Sequence, residues 1–364
     1  MTDERWARAA LSRLAEPCDT TVAALLERFG AVETVDRIRS HAPGLERFGA
    51  RVREANVDQD LANARRIGAR VVIPGDDAWP TRLDDLPIPP WCLWARGPLP
   101  LESGLRRSVA VVGARMCTEY GARLAAELAA GLVTRGWAVV SGGAFGIDAA
   151  AHRGALAVDG VTVAVLASGI DRMYPAAHGP LLERILERGA CLSETAPGSA
   201  PMKSRFLHRN RLIAALTAGT VVVEADLRSG SLNTARHAVG LARPVAAVPG
   251  PVTSMSSAGC HQRIRSGEAV LVTNAEEVIE LVGEMGVDAY EEPSGPVFAA
   301  DGLPSAEARV LEALPVRGAM ELDRVSVLTT LAPLAVRAAL ARLEDLGLAV
   351  VEEGRWRKAR APRV

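Results

Sequence analysis

From Val109 the chain takes on a rhythm that admits few folds: short apolar, largely β-branched runs recur roughly every 23 to 30 residues, the length of one strand-and-helix unit. The runs are VAVVG, WAVVSGG, VTVAVLASG, ACLSE, TVVVEAD and RPVAAVPG. Helices are predicted between them over Tyr120–Arg135, Asp148–Ala157, Pro180–Arg188, Arg209–Thr217 and Leu232–Leu241. Strands that are apolar throughout, rather than alternating, are buried on both faces. Their alternation with helices predicts an α/β fold built on a parallel sheet. Ligands of such sheets bind beyond the carboxyl ends of the strands, so the loops that follow the runs are where a site is expected.

The flanks are different. Residues 1–70 place apolar residues at three-and-four spacing in RWARAALSRLA, TVAALLERFG and VETVDRIRSHA, with stops at Gly30 and near Pro43. They read as a small helical domain with a structural or docking role. A proline-rich connector follows, and its Trp79, Trp91 and Trp94 are expected in the core rather than on a stacking platform for carbohydrate or bases. Beyond a linker at 286–303, residues 304–364 show two short helices, a longer one and two short strands around EEG, the pattern of a winged helix. Its third helix is mostly Ala and Leu, with Arg337 and Arg342 as outward candidates for base contact, so DNA reading and protein contact both stay open.

A length of 364 residues suits two or three domains. No run of 18 apolar residues occurs and the first residues are charged, so a cytoplasmic protein without a membrane partner is expected. The five cysteines are scattered and form no C-x-x-C pair, which argues against a disulfide framework and a zinc site. The formal net charge of −1 conceals a segregation: Pro201 to Ser266 holds nine Lys or Arg against two acids, and Gly267 to Asp301 holds nine acids and no cation. A basic module therefore runs into an acidic connector. Lys203 and Lys358 are the only lysines, which marks Lys203 as a position where arginine, with its different shape and hydration, does not stand.

The loops after the runs gather a candidate site. GARMCTEYG sets Arg115 two residues beyond Gly113, and SGGAFGID carries Ser141, Gly142, Gly143, Ala144 and Gly146. SGIDRMYP, SETAPG, EADLRSGSLNTA (with Ser229, Gly230 and Ser231) and PGP follow the others. Glycine lets an anion approach the backbone, and the N–H groups of a following helix start point toward it. SGGAFGID has neither the lysine-serine ending of a triphosphate loop nor the spacing of a dinucleotide loop. Three glycine loops on one sheet edge, with Arg115 among them, point to an extended phosphate-bearing ligand, and Asp148 is expected to bond N–H groups at the helix start.

The stretch PMKSRFLHRNRLI adds cations around an aromatic ring: Lys203, Arg205, Arg209 and Arg211, with His208, surround Phe206 just before a predicted helix. Single-stranded nucleic acid needs such a row of charges and such a ring. The same peptide also fits a helix anchored by Phe206 and Leu207 with solvated charges, and the two readings stand side by side.

Seven motifs, in order, resemble the DprA family, also called Smf: VGARMCTEYG, SGGAFGIDAAAH, LASGIDRMYP, SETAPG, RFLHRNRLIAAL, EADLRSGSLNTARHA and VAAVPGP. The resemblance implies an extended Rossmann-like domain over residues 71–285, preceded by a small helical, SAM-like domain and followed by a winged helix. It further implies single-stranded DNA as ligand, a homodimer, and loading of the recombinase RecA onto DNA coated by single-strand-binding protein, in transformation and recombination. No cofactor and no enzymatic activity come with it. Carried over by motif, Arg115 and Lys203 are phosphate contacts, Phe206 stacks on a base, and Ser141 to Gly146 form the anion cradle. Arg209, Asn210 and Arg211 shape the same pocket, with Asn210 tying loops together, and His152 is structural. One stretch departs from the family pattern S-x-G-x-N-x-L-I-x-x-G-A: SAGCHQRIRSGEA places His261 at the asparagine and Arg263 at the leucine. The helix is expected to persist there, with Arg263 as a further DNA contact.

Two other classes compete. A phosphoribohydrolase of the lysine-decarboxylase-like type would need P-G-G-x-G-T-x-x-E at the fifth loop; here RSGSLNTARH puts His237 where the carboxylate belongs. Glu194 and Glu224 remain as strand-end carboxylates, expected to bond neighbouring loops rather than to act as acid and base. A pure interaction protein with a vestigial pocket is the third class.

Overall fold

The six apolar runs are strands of one sheet in the computed structural model, which describes residues 3–289 and 302–359. Most of the linker expected at 286–303 lies outside the described residues. The chain divides into two compact units, Met1–Tyr290 and Glu291–Val364.

In the first unit, helices α1 (Asp3–Leu14), α2 (Thr20–Arg39), α3 (Gly49–Glu54) and α4 (Val57–Arg66) precede the sheet. Strands β1 (Ala69–Val72) and β2 (Leu93–Arg96) come next, then α5 (Leu101–Arg106), β3 (Ser108–Val112), α6 (Glu119–Thr134) and β4 (Ala138–Ser141). The alternation continues through α7 (Ile147–Ala157), β5 (Thr162–Val165), α8 (Gly179–Ile185), β6 (Ala190–Ser193), α9 (Lys203–Leu216) and β7 (Gly219–Val222). It closes with α10 (Ser231–Gly240), β8 (Val245–Ala247), α11 (Met255–Arg265), β9 (Val270–Leu271) and α12 (Ala275–Val282). Strand order is β1-β2-β6-β5-β4-β3-β7-β8-β9. From β6 to β9 every pairing is parallel, whereas β1 with β2 and β2 with β6 are antiparallel.

Both faces are covered, as apolar strands require. Val109, Val111, Val139 and Val221 pack under α6, α7 and α12; the alternate residues Ala110, Val112, Val140 and Val222 pack under α9 and α10. The N-terminal helices are not independent of this core: Leu11, Leu14, Ile38 and Leu61 share one cluster with Trp94, Leu166 and Ile185. Gly30, in the left-handed region at φ 75, breaks α2 where the sequence placed a stop.

Two features differ from the sequence expectation. The proline-rich connector contributes two strands, β1 and β2, each four residues long and too short to stand out between prolines. Its tryptophans lie in the core as expected, Trp79, Trp91 and Trp94 each being buried. Helix α9 begins at Lys203 rather than Arg209, so the basic stretch is the helix's first two turns and not its approach. Cations at a helix start oppose the helix dipole, which is why the local pattern argues against it; Arg205 there is paired with a distant carboxylate, Glu16.

The second unit holds α13 (Ser305–Ala313), α14 (Leu322–Thr329), α15 (Pro333–Asp345) and the antiparallel pair β10 (Ala349–Glu352) and β11 (Arg355–Lys358). Val310, Val325, Val336, Leu340 and Leu343 make its core. The order of elements is the one expected from the sequence. Among the described residues no single helix is long and apolar enough to cross a membrane.

Trp94 ties the connector to α1: it is fully buried, and its indole N–H donates to Ser12 Oγ at 3.1 Å. Trp94→Ala should destabilise the first unit by about 3–5 kcal/mol, seen as a lower urea midpoint. An unchanged midpoint would show that α1 and the sheet do not depend on this contact.

Candidate nucleic-acid interface

The loops after β3 and β7, part of the loop after β4, and one face of α9 enclose a cavity of about 350 Å³. Of the residues singled out in the sequence, Gly113, Arg115, Ala144, Phe206, Arg209, Asn210, Ser229, Gly230 and Ser231 line it. The parallel register puts the ends of β3, β4 and β7 side by side, so loops far apart in sequence meet at one edge.

The floor is a buried cation. Arg209 is 4% exposed; its Nη1 donates to Gly142 O at 2.8 Å and also to Val165 O, joining the ends of β4 and β5. Burial lowers its pKa to about 10, opposed by the nearby charge of Asp148. Asp148 is buried too, and desolvation raises its carboxyl above the ordinary range while Arg209 pulls it down. Its Oδ2 accepts from Gly142 N at 3.1 Å and Ala144 N at 3.4 Å. These are N–H groups of the loop itself, not of the helix start as the sequence led us to expect: the aspartate folds back over the loop that precedes its helix. Two donors of the expected anion cradle are thereby engaged from within. Gly146 is required by close approach: at φ 78, a Cβ there would collide with the carbonyls of Ala114 and Arg115.

The rim is aromatic and cationic. The Arg115 guanidinium lies 4.9 Å from the centroid of Phe206, a cation-π contact between the loop after β3 and α9. Tyr174 stands beside Phe206 with ring centroids 5.8 Å apart, and Phe145 tilts against His178 at 4.5 Å. His178 Nδ1 in turn meets Gly143 O at 2.9 Å. Asn210 holds the loop after β7 to α9, its amide donating to Gly230 O at 3.3 Å, while its Oδ1 receives Nε of the neighbouring Arg209 at 3.3 Å. Sequence reasoning missed Tyr174, Met116 and Asp226, and offered Leu207 only as an anchor of the helix. Met116 and Leu207 are exposed and line the cavity with Asp226, yet all four lay in motifs already in view, as neighbours of the residues chosen.

Several candidates are placed elsewhere. Ser141 is buried, its hydroxyl spent on Val111 O at 2.7 Å. Lys203 is exposed at the start of α9 and outside the cavity lining, with no ion pair among the described residues. Arg205 does not project as a free cation: Glu16 holds it through Nε at 2.9 Å and Nη2 at 2.8 Å. Arg211 does not shape the cavity; it is buried, paired with Glu194 and bonded to Ile88 O at 3.1 Å. Arg263 pairs with Glu268 across the end of α11, a helix that persists despite the unusual sequence. His261 there meets the Gly250 carbonyl at 3.0 Å.

The other titratable groups near the loops are structural. Glu224 receives the N–H of Thr118 at 2.8 Å and its hydroxyl at 2.5 Å, and burial raises the Glu194 carboxyl beside Arg211. His152 is fully buried on α7 with Nδ1 2.7 Å from Thr162 Oγ1. That hydroxyl gives its proton to Val139 O at 2.8 Å, so Nδ1 must carry the imidazole hydrogen and Nε2 faces the interior with no partner. Burial lowers the pKa of His152 to about 3.

The sequence profile of the family described as DNA recombination-mediator protein A matches residues 70–283. A Mycobacterium tuberculosis protein named as a DNA processing protein DprA is 49% identical over 97% of this chain and 94% of its own. The DNA processing protein DprA of Streptococcus pneumoniae is 41% identical over 56% of this chain and 71% of its own. Its X-ray structure superposes with a TM-score of 0.66 at 31% identity, covering 78% of this chain and 99% of that one. The DNA processing protein A of Helicobacter pylori, solved for its single-stranded DNA binding mode, gives a TM-score of 0.52 at 30% identity over 58% of this chain and 94% of that one.

The buried imidazole makes stability depend on pH with a definite sign. Between pH 6.5 and about 3 the unfolded chain protonates His152 and the folded chain does not, so its contribution to stability is lost as pH falls below 6.5. The wild type should lose up to about 1.4 kcal/mol per pH unit more than His152→Asn in that window, read from urea midpoints. Parallel pH profiles would show that the imidazole does not titrate on unfolding.

Proposed function

The chain belongs to the DNA recombination-mediator protein A family, and from that premise we propose that it binds single-stranded DNA at the cavity beside α9 and helps load RecA onto it. The observation that carries this reading is the Arg115–Phe206 contact on the rim of the cavity. A guanidinium over a partly buried ring at 4.9 Å brings together the two groups that a phosphate and an unstacked base need. Lys203, on the first turn of the same helix, supplies a second exposed cation. The Helicobacter relative, whose structure describes a single-stranded DNA binding mode, supports the same ligand class.

On this reading Tyr174 extends the aromatic row from Phe206 along the strand's path, and bases rather than a free nucleotide occupy it. Binding, not turnover, is the work of the site: the strand-end carboxylates Glu194 and Glu224 are buried and already bonded, and neither lines the cavity. A homodimer and a contact with single-strand-binding protein complete the proposal, with a role in transformation and recombination.

Oligothymidine should shift the full chain on a native gel, and duplex of equal length should bind more weakly because stacked bases cannot reach Phe206. The affinity should fall with salt by a logarithmic slope of about 0.7 per phosphate neutralised. Arg115→Glu combined with Lys203→Glu should nearly abolish the shift; wild-type affinity in that double variant would move the site elsewhere. Phe206→Ala should cost roughly 1–3 kcal/mol of binding. A drop in folding stability with binding intact would instead make Phe206 a packing residue.

A further inference from the structure

Helix α9 carries both Lys203 and Phe206, and its own sequence gives it a poor start. Met202, at the cap position, makes no side-chain cap hydrogen bond, and the first turn holds no acid. The first turn holds Lys203 and Arg205 instead. The free N–H groups of a helix start carry partial positive charge, so cations there are repelled and the turn frays unless something negative is supplied. The first helical bond, Phe206 N to Met202 O at 3.2 Å, closes the very turn from which Lys203 and Phe206 project.

The missing negative charge comes from the other end of the chain. Glu16, just beyond α1, grips Arg205 with both oxygens, accepting from Nε at 2.9 Å and from Nη2 at 2.8 Å. The third arm of that guanidinium, Nη1, donates to Ala200 O at 2.8 Å, fixing the approach to the helix. Glu16 also pairs with Arg51 of α3, so the carboxylate is itself held between two guanidinium groups. Its pKa is lowered to about 2, first by the hydrogen bonds from Arg205, so it is charged across the working range of the protein. A second contact runs in parallel: Arg13, bidentate to Asp60, also donates to Pro197 O ahead of α9.

We propose that Glu16 is a positioning residue for the DNA site: held between Arg51 and Arg205, it serves as the first-turn acid that α9 lacks and keeps Lys203 and Phe206 in binding geometry. The N-terminal helices then act on DNA affinity without touching DNA. This rests on the single-stranded DNA reading above, but it makes a prediction of opposite sign to simple charge counting. Removing a carboxylate near an anionic ligand should tighten binding by electrostatics; if the carboxylate orders the helix start, its removal weakens binding.

The test is fluorescence anisotropy of labelled oligothymidine over a salt series, with hydrogen exchange of the α9 peptide measured in the absence of DNA. Glu16→Ala and Arg205→Ala should each weaken binding roughly three- to tenfold. The double variant should bind no more weakly than either single one, because both remove the same contact. The salt slope should stay at its wild-type value in all three, whereas Lys203→Gln should lower it by about 0.7. Exchange at the start of α9 should quicken in Glu16→Ala. Tighter binding by Glu16→Ala, or a lowered salt slope in Arg205→Ala, would overturn the proposal, the latter by making Arg205 a phosphate contact. Should Glu16→Ala not fold, Glu16→Gln carries the same test, since it loses the charge and keeps one acceptor. If the wild-type chain does not bind oligothymidine, the DNA reading fails by itself. Hydrogen exchange then decides the clamp: an unchanged rate in Glu16→Ala rejects it, and a faster one retains the hold of Glu16 on α9.

Discussion

Everything at the ligand end of the sheet depends on where one buried guanidinium sits. Arg209 has no solvent to neutralise it, so its hydrogens must find carbonyl groups, and it finds them at the ends of β4 and β5. Asp148 offsets the charge from below while occupying two N–H groups of the SGGAFGID loop. The result is a floor with its polarity satisfied internally. Of the cations singled out in the sequence, Arg115 lines the cavity against Phe206, while Lys203 stands exposed at the start of α9, outside that lining. The loop first read as an open cradle is better described as a partly closed one, with its aspartate as the lid.

The fold was legible because its signal is periodic. Apolar runs at strand-helix spacing predict a parallel sheet whatever the loops contain, and the six runs became β3 to β8. What periodicity could not reveal was short or set by distant partners. Strands β1 and β2 are four residues each in a proline-rich stretch, and they pair antiparallel, outside the repeat. The start of α9 was misplaced for a related reason: cations at a helix start oppose its dipole, and the carboxylate that pairs with Arg205 lies 189 positions away.

The site divides along the same line. Arg115 and Phe206, named from two separate motifs, both line the cavity because the sheet brings the two together, although the peptide around Phe206 equally suited a packing role. Arg205 and Arg211 carried the same charge in the same peptide, yet one is held by Glu16 and the other buried against Glu194. Charge type is written in a sequence; whether a charge is already spent is written in its tertiary partner. Tyr174 shows the converse, a ring in a quoted loop whose importance appears only when its centroid falls 5.8 Å from Phe206.

The placement of β2 also orders events in the life of the chain. Trp94 pairs with Ser193 in the register of β2 and β6, while β3, β4 and β5 intervene in sequence. As the chain leaves the ribosome, β1 and β2 and the helices before them are complete long before the strand that receives them exists. Until Ser193 emerges, Trp94 lacks the strand that β2 pairs with on that side. The part of the protein made first therefore takes its place in the sheet only after β6 is made, and Glu16 meets Arg205 on α9 later still.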